Sequence, residues 1–449
     1  VANAKPYMTT SELVEFTKLS MMFPSDQSTL TYNDIVKLMN QELQNSAVPA
    51  LIQLHEEYFV YKVTVPLLTD IAVYPIPNRA SGMALRDVKY SDNRGNFFDM
   101  SRIAPEDKAF FQNNTGVNQV ITHYYLEGNN IVLTPQTMTS PTGYLNFFFN
   151  LRPNFLVRED RACTIESFVK DIVITDYTGI QIGDTINITT GAQTPSPTNY
   201  TFTASASVVN AGDFVATTSN VVTATNLLNA MLSEGLDVAL TGSTIRMTYD
   251  QISDTFQTAQ VTTNNVLTGI IDIDVDYLFI KFDQLPVSYT DIDTQVTETL
   301  YSDGCLVDFL QTLPGHKTYT YDIELVSIES DFVGKFAVSD FQTYQNNSSG
   351  GTLTYYPIIV GDYMALQNEC IIPGIPPELH SALAERTCSR ILMAIGDREG
   401  YAISQQKLAE MNQNQTAMIG SRIEGSPIKV FNRNSLLKIG KRTVRRRFL

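Results

Sequence analysis

Tryptophan is absent from this 449-residue chain, and cysteine and histidine occur four times each. Cys163, Cys305, Cys370 and Cys388 lie 142, 65 and 18 residues apart, with no Cys-x-x-Cys pair and no histidine at ligand spacing. This spacing excludes a local zinc framework and reads as buried free thiols in a reducing compartment. No apolar run approaches the roughly 18 residues that a membrane-spanning helix requires. The opening VANAKPYMTTSELVEF has no apolar stretch of the signal-peptide kind. A soluble chain of intracellular origin, without membrane contact, is therefore expected. Charged residues are also scarce, at 17%, and Thr, Asn and Gln fill the polar positions. That balance fits β-structure with uncharged, hydrogen-bonding surfaces of the kind subunits bury against one another.

Catalytic signatures are missing too. Asp272, Asp274 and Asp276 in IDIDVDY take the first, third and fifth positions of a calcium loop, but Tyr277 stands where glycine belongs and Asp283 where glutamate belongs. On a strand the three carboxylates share one face while Ile271, Ile273 and Val275 take the other. HEEYF begins like a zincin helix, yet Phe59 replaces the second histidine. His55, His123, His316 and His380 are never within ten residues of one another. No GxSxG, GxGxxG or GxxxxGK[ST] occurs, and PGHKT has nothing upstream to cradle a phosphate. The expectation is a protein that is not an enzyme and needs no cofactor or metal.

What is present is an uneven distribution of charge. The formal net charge is −16, yet six of the last twelve residues are basic. From Arg422 onward there are nine Lys/Arg and one acid, so this segment carries +8 and the remaining residues −24. Such a split marks an interaction arm rather than a folded face. Apolar Ile428, Val430, Leu436, Leu437 and Ile439 interleave the charges, and Phe448 and Leu449 follow them. A purely solvating tail has no use for those side chains.

Hydrophobic periodicity divides the rest. The spacing predicts a helix at TTSELVEFTKLSMM, capped by Thr9 or Thr10 and burying Leu13, Phe16 and Leu19. A second helix is expected at LTYNDIVKLMNQELQN, with Thr31 as cap, Asp34 in the first turn, and Ile35, Leu38, Met39 and Leu43 inward. A third follows at AVPALIQLHEEY, with Pro49 tolerated only near its start. From Tyr58 the period becomes two, and strands are expected through residue 168, with a hairpin across Glu127–Asn130 and a short helix at PEDKAFFQN. Residues 172–275 are rich in Thr, Ser and Gly. They read as a small inserted β-domain, with one helix at TATNLLNAMLSEG capped by Thr223 or Thr225 and stopped by Gly235. TETLYSDGCLVDFLQTLPG is expected to be helical. PELHSALAERTCSRILMAIGD, interrupted by Gly396 and Gly400, and YAISQQKLAEMNQNQTAMI should form a helical hairpin.

The expected class is thus α+β: N- and C-terminal helical segments around a β-meander or β-sandwich body, with an inserted β-rich domain and an extended basic arm. The boundaries are 1–60 for the first helices, 61–171 for the body, 172–275 for the insert and 276–375 for the body continued. The helical hairpin occupies 376–421 and the arm 422–449.

Several passages resemble the head-to-tail adaptor (connector, or neck) proteins of tailed bacteriophages. They are LTYNDIVKLMNQEL, VPALIQLHEEYFVY and YPIPNRASGMALRDVKY near one end. Near the other they are GDYMALQNECIIPGIPPELHSALAERTCSRILMAIGD, QKLAEM and IKVFNRNSLL. The likeness covers residues 8–168 and 290–440; the insert resembles only the generic β-domains that decorate phage structural proteins. The resemblance implies a homo-oligomeric ring, commonly a dodecamer, in the virion neck between capsid and tail, made in the bacterial host cytoplasm. Its partners would be the portal protein above and tail or neck proteins below, with genomic DNA passing through the lumen and no sequence-specific binding. The family supplies no catalytic residues. On this reading the portal-binding residues are Leu436, Leu437, Lys438, Ile439, Lys441, Arg442, Arg445, Arg446, Arg447, Phe448 and Leu449. Two alternatives stay open. One is a nucleic-acid-binding protein that uses the arm, although KIGKRTVRRRFL offers a single aromatic residue and no reading helix. The other is a different structural subunit of a phage tail or neck.

Overall fold

The structure, a computed structural model, describes residues 7–21, 30–54, 57–68, 71–92, 96–108, 123–134, 143–190, 198–249, 260–263, 271–273, 277–310, 320–329, 332–347, 350–355 and 358–418. It is mixed α+β with strands predominating.

Helix α1, Thr10–Ser20, opens with a capping box in which Thr9 and Glu12 satisfy each other's backbone N–H groups. Its buried residues are Thr10, Leu13, Val14 and Thr17, with Phe16 half-buried against the same core; of the expected Leu13, Phe16 and Leu19, only Leu19 faces away. At ~3.6 residues per turn, six residues carry a side chain two-thirds of a turn around the axis. Leu19 is accordingly 76% exposed. Helix α2, Tyr32–Glu42, has the same box built from Thr31 and Asp34, and Ile35, Met39 and the following Leu43 are fully buried. It runs through a π-helical turn, Leu43–Ala47, into α3, Val48–Leu54, with the Val48 N–H reaching back to the Leu43 carbonyl. The widened turn accommodates Pro49, whose ring would strike the carbonyl four residues back in a regular helix.

The next unit is built from β1 Val60–Pro66, β2 Val73–Pro75, β3 Ala80–Ser91, β4 Phe97–Asp99, β5 Ser101–Arg102, β6 His123–Glu127, β7 Asn130–Thr134 and β8 Tyr144–Leu151. The hairpin β6–β7 turns where expected. The meander does not form: β1 pairs with β8 and β2 with β7, so the strands are nested rather than sequential. Two four-stranded sheets result, ordered β1-β8-β3-β4 and β2-β7-β6-β5. They share one core that includes Tyr74, Val88, Ile131, Leu133, Phe147 and Phe149. At PEDKAFFQN only a 3-10 turn, Pro105–Asp107, is seen within the described residues.

After β9, Phe155–Leu156, the twelve-residue β10, Cys163–Ile174, joins two further units. The inserted segment contains β11 Thr185–Thr190, β12 Thr198–Ala204, β13 Asp213–Phe214, helix α4 Asn220–Ser233, β14 Val238–Thr241, β15 Thr244–Tyr249, β16 Gln260–Thr263 and β17 Ile271–Ile273. Helix α4 starts earlier than expected, because Ser219 is its N-cap and Thr223 lies buried within it, bonded to the Thr217 carbonyl. Packed around α4 is a separate core, with Ile186, Ile188, Phe202, Phe214, Leu227 and Met231 fully buried.

The chain continues with β18 Tyr277–Phe282, β19 Ser288–Thr290, β20 Thr297–Thr299, β21 Cys305–Leu310, β22 Thr320–Glu329, β23 Val333–Ala337, β24 Gln342–Asn347, β25 Gly350–Tyr355, β26 Tyr363–Leu366 and β27 Glu369–Cys370. The stretch expected to be helical, TETLYSDGCLVDFLQTLPG, holds β20, a turn with Gly304 at φ 79° and β21. Pairing of β21 with both β22 and β26, and burial of Val307 and Phe309, override its local helical character. Strands β10-β18-β23-β22-β21-β26 form a continuous ladder, and β26 pairs back onto β10 at Thr164↔Tyr363 and Cys163↔Met364. This closes a six-strand barrel in place of an open sandwich. Ile165, Ile280, Phe282, Phe309, Leu325 and Phe336 are among its buried residues. Gly334 leaves room for them: a Cβ there would lie 2.9 Å from Phe336, 3.0 Å from Leu325 and 3.1 Å from Phe282.

A 3-10 turn, Pro377–Leu379, leads into α5, His380–Ile395. Buried His380 accepts the Met8 N–H at Nδ1 and donates from Nε2 to the Ile375 carbonyl, which sets its tautomer. Thr10 donates to the Ile371 carbonyl. These bonds stitch the first and last helices into one core. Gly396, at φ 81°, caps α5, and α6, Arg398–Met418, returns beside it with Ser404 donating to Glu385. The hairpin forms as expected, but Gly400 sits in the first turn of α6 instead of interrupting a helix.

The two ends of the inserted segment are strand partners, Ile172↔Ile273 and Ile174↔Ile271, so they are adjacent in space. Replacing residues 175–270 with a short Gly/Ser linker should leave the remainder folded, with unchanged far-ultraviolet circular dichroism per strand residue and cooperative unfolding. Insolubility or loss of cooperativity would show that the barrel requires the insert's core.

Candidate functional site

Every residue assigned to the arm, from Leu436 to Leu449, lies outside the described residues, and so do His55, His316, Asp274 and Asp276. His123 lies half-buried on β6, while His380 is committed to the two backbone bonds above. Asp272 lies on β17, as the strand reading expects. Among the described residues no three His, Cys, Asp or Glu side chains converge as metal ligands. No described helix is long and apolar enough to cross a membrane.

The four cysteines are free thiols. Burial pushes the Cys163 thiol up to about 12 and Cys388 up to about 11, and it raises Cys370 and half-buried Cys305 as well. A thiol held neutral in this way is a poor nucleophile and a poor ligand.

The most concentrated polar geometry joins the paired sheets to the barrel. Across from Asp308 on β21 stand two residues of β22, Tyr321 and Asp322, because the register steps from Val307↔Ile323 to Phe309↔Thr320. Asp322 absorbs this bulge at φ 58°. Its N–H donates to Asp308 Oδ1 at 3.0 Å. Asp308 Oδ2 accepts from Asn154 Nδ2 at 2.8 Å and from the Asn368 N–H at 2.9 Å. Arg79, just before β3, sends Nη2 to both Asp308 oxygens at 2.6 and 2.7 Å and to Asp322 at 2.8 Å. Its Nη1 donates to Asn154 Oδ1 at 2.7 Å, and its guanidinium lies 4.8 Å from the Tyr321 ring centroid.

Arg79 and Asp308 are both nearly inaccessible. Burial opposes the Arg79 charge, but the bonds and charges of Asp322 and Asp308 hold it above its ordinary value. Burial holds the Asp308 carboxyl above its ordinary value, with Arg79 opposing the rise. The pair is a fully satisfied network that fixes orientation, and it leaves no lone pair of Asp308 facing water for general-base work. One signal in the sequence could have located it. CLVDFL places a carboxylate between inward Val307 and Phe309, and an acid in such a strand must be paired.

A cleft of about 780 Å³ opens beside this junction. Tyr61, Lys62, Thr64 and Pro66 of β1 form one wall, and Thr320, Tyr321, Asp322, Asp340, Gln367 and Asn368 form another. A second polar cluster braces the first helices. Arg161 bridges Glu369 and Glu298, Arg158 stacks 4.8 Å from the Tyr32 ring, and Asn33 donates to Asp291 at 2.7 Å. Burial raises Glu369, with Arg161 acting against that rise, whereas the Thr294 N–H leads the bonds that lower Asp291. Neither cluster brings together a nucleophile and a base. No protein-family model and no curated protein matches the chain.

Two expectations test these assignments. Asp308→Ala strands a buried guanidinium and should cost about 3–5 kcal/mol in urea unfolding, whereas the paired change Arg79→Met with Asp308→Leu should cost less. A loss below about 1 kcal/mol for Asp308→Ala would mean that the junction does not hold the two units together. Native protein at pH 8 should react with a thiol reagent at Cys305 alone, and at all four cysteines once unfolded. Rapid native labelling of Cys163 or Cys388 would contradict their burial.

Proposed function

We propose that this chain is a structural, non-enzymatic virion subunit: a head-to-tail connector that forms a homo-oligomeric ring, docks on the portal, joins the capsid to tail components and lets the genome pass. The resemblance at both ends of the sequence introduces the reading. The observation that carries it is the arm, a +8 segment interleaved with apolar residues that follows a body of charge −24. Helix α6 leads directly into this arm. At the turn between α5 and α6, Met393, Ile395 and Ile403 are exposed. The hairpin thus presents apolar surface, and the barrel and paired sheets serve as scaffold.

An arm of this composition suits a partner that is already assembled. Its last twelve residues reach about 40 Å when extended. A ring of such arms multiplies modest individual contacts through effective concentration. Leu436, Leu437 and Ile439 precede the terminal charges, and Phe448-Leu449 follow them. A groove between portal subunits would bury these side chains at about 25 cal/mol per Å² of apolar area. Binding to DNA phosphates would leave them unused and would weaken steeply with salt. The acidic body disfavours retention of passing DNA.

The test separates apolar docking from charge. Truncation after Ser435, and separately Leu436→Ser with Leu437→Ser and Phe448→Ser at constant charge, should each yield folded protein that fails to join portal-bearing capsids. Normal attachment by the triple serine variant, with attachment lost on charge removal alone in a salt-sensitive manner, would overturn portal docking and favour the nucleic-acid reading.

A further inference from the structure

On the outer edge of β1 the backbone groups of Lys62 and Thr64 have no partner among the described residues; they lie between the Val60 N–H, which donates to the Glu57 carbonyl, and Pro66, which has no N–H. Leu67 N–H donates to the Gly143 carbonyl and Leu151 N–H to the Phe59 carbonyl, so odd-numbered residues of this strand bond to β8. The alternation of antiparallel pairing then turns the N–H and C=O of Lys62 and Thr64 the other way. β1 is the last strand of its sheet on that side. No described group bonds the outward backbone of Lys62 or Thr64. Exposed edges of this kind are usually covered, bulged or charged to prevent further pairing. This one carries a lysine and ends in a proline, and its open stretch at Lys62 and Thr64 borders the cleft of about 780 Å³.

Two side chains lining the cleft have no ion-pair or hydrogen-bond partner among the described residues. The Lys62 ammonium forms no ion pair among the described residues and lies 6.0 Å from the centroid of the Phe97 ring on β4. Half-burial lowers its affinity for a proton. The Thr320 hydroxyl, on the facing wall, is buried without any hydrogen-bond partner. A buried hydroxyl left unpaired is costly, and a cation with no counterion adds to that cost. Tyr61, Tyr144 and Tyr321 add aromatic surface around these groups. An open strand edge, an unpaired cation and an unpaired hydroxyl along one cleft form an arrangement that an added strand would complete.

We propose that the free edge of β1 receives an extended segment of a second copy of this chain as an added strand, with an acidic side chain of that segment on Lys62. Charge complementarity selects the occupant: the chain carries 47 acids against 31 bases, and outside the arm the excess is larger. The basic arm, by contrast, would meet Lys62 with like charge. Main-chain bonds to Lys62 and Thr64 would supply affinity, while Lys62 and the tyrosines would supply register. An edge on one subunit that receives a segment of the next is a heterologous contact, which closes into a ring when the rotation permits. The proposal rests on the ring reading and names its lateral interface.

The test uses the full-length chain. Lys62→Glu reverses the unpaired charge on a half-exposed side chain without touching the β8 ladder. Thr64→Pro removes an outward N–H and places a ring on the edge. Sedimentation equilibrium should show self-association weakened about tenfold or more by each, with circular dichroism unchanged for Lys62→Glu. A photo-crosslinking residue at position 62, in a mixture of isotopically light and heavy protein, should join light to heavy chains at an acid-bearing segment. If rings form equally in both variants, strand addition is wrong while the ring reading stands. Crosslinks confined to one chain, or falling on residues 422–449, would also overturn it. A wild-type chain that never self-associates would sink the ring reading together with this interface.

Discussion

The paired sheets and the barrel depend on one buried cation. Arg79 follows two prolines in YPIPNRA, and their restricted backbone delivers it at the head of β3 without a regular strand around it. Once there it must be neutralised, because an isolated guanidinium in this environment would be prohibitively unstable. Asp308 neutralises it, and Asp322 completes the fork through a bulge that would itself be strained without the bond from its N–H to Asp308. Asn154 and Asn368 fill the remaining acceptor sites. The network therefore imposes one relative placement of two β-units, and the cleft beside β1 is a consequence of that placement.

β10 performs the corresponding role for the insert. Its first residues close the barrel against β26, and its last residues pair with β15 and β17. A bulge between Ile165 and Ser167 shifts the alternation. Ile165 and Phe168 consequently both serve the barrel core, whereas Ile172 and Ile174 serve the insert. A single strand with one misstep thus feeds two hydrophobic cores.

The elements legible in the sequence were those governed by neighbours along the chain. Thr9 with Glu12 and Thr31 with Asp34 carry capping chemistry within one turn, and Glu127–Asn130 carries a hairpin. What escaped was set by distant partners. CLVDFL becomes a strand because β22 and β26 flank it, and barrel closure depends on Tyr363 meeting Thr164 across 199 positions of sequence. Leu19 lies off the buried face because a spacing of three drifts around the helix axis. The polar junction left a trace in Asp308, but its partner Arg79 is 229 residues away. The cleft left no local trace, since it lies between units that approach only in the folded chain.

If this chain is, as proposed, the ring between portal and tail, electron cryomicroscopy of the neck of the intact particle should show it there. The expected density is a closed ring of barrels at the capsid vertex, with the arms running upward along the portal and the lumen open to DNA. Density for this chain elsewhere in the particle, along the tail or on the capsid surface, or its absence from the particle, would contradict it.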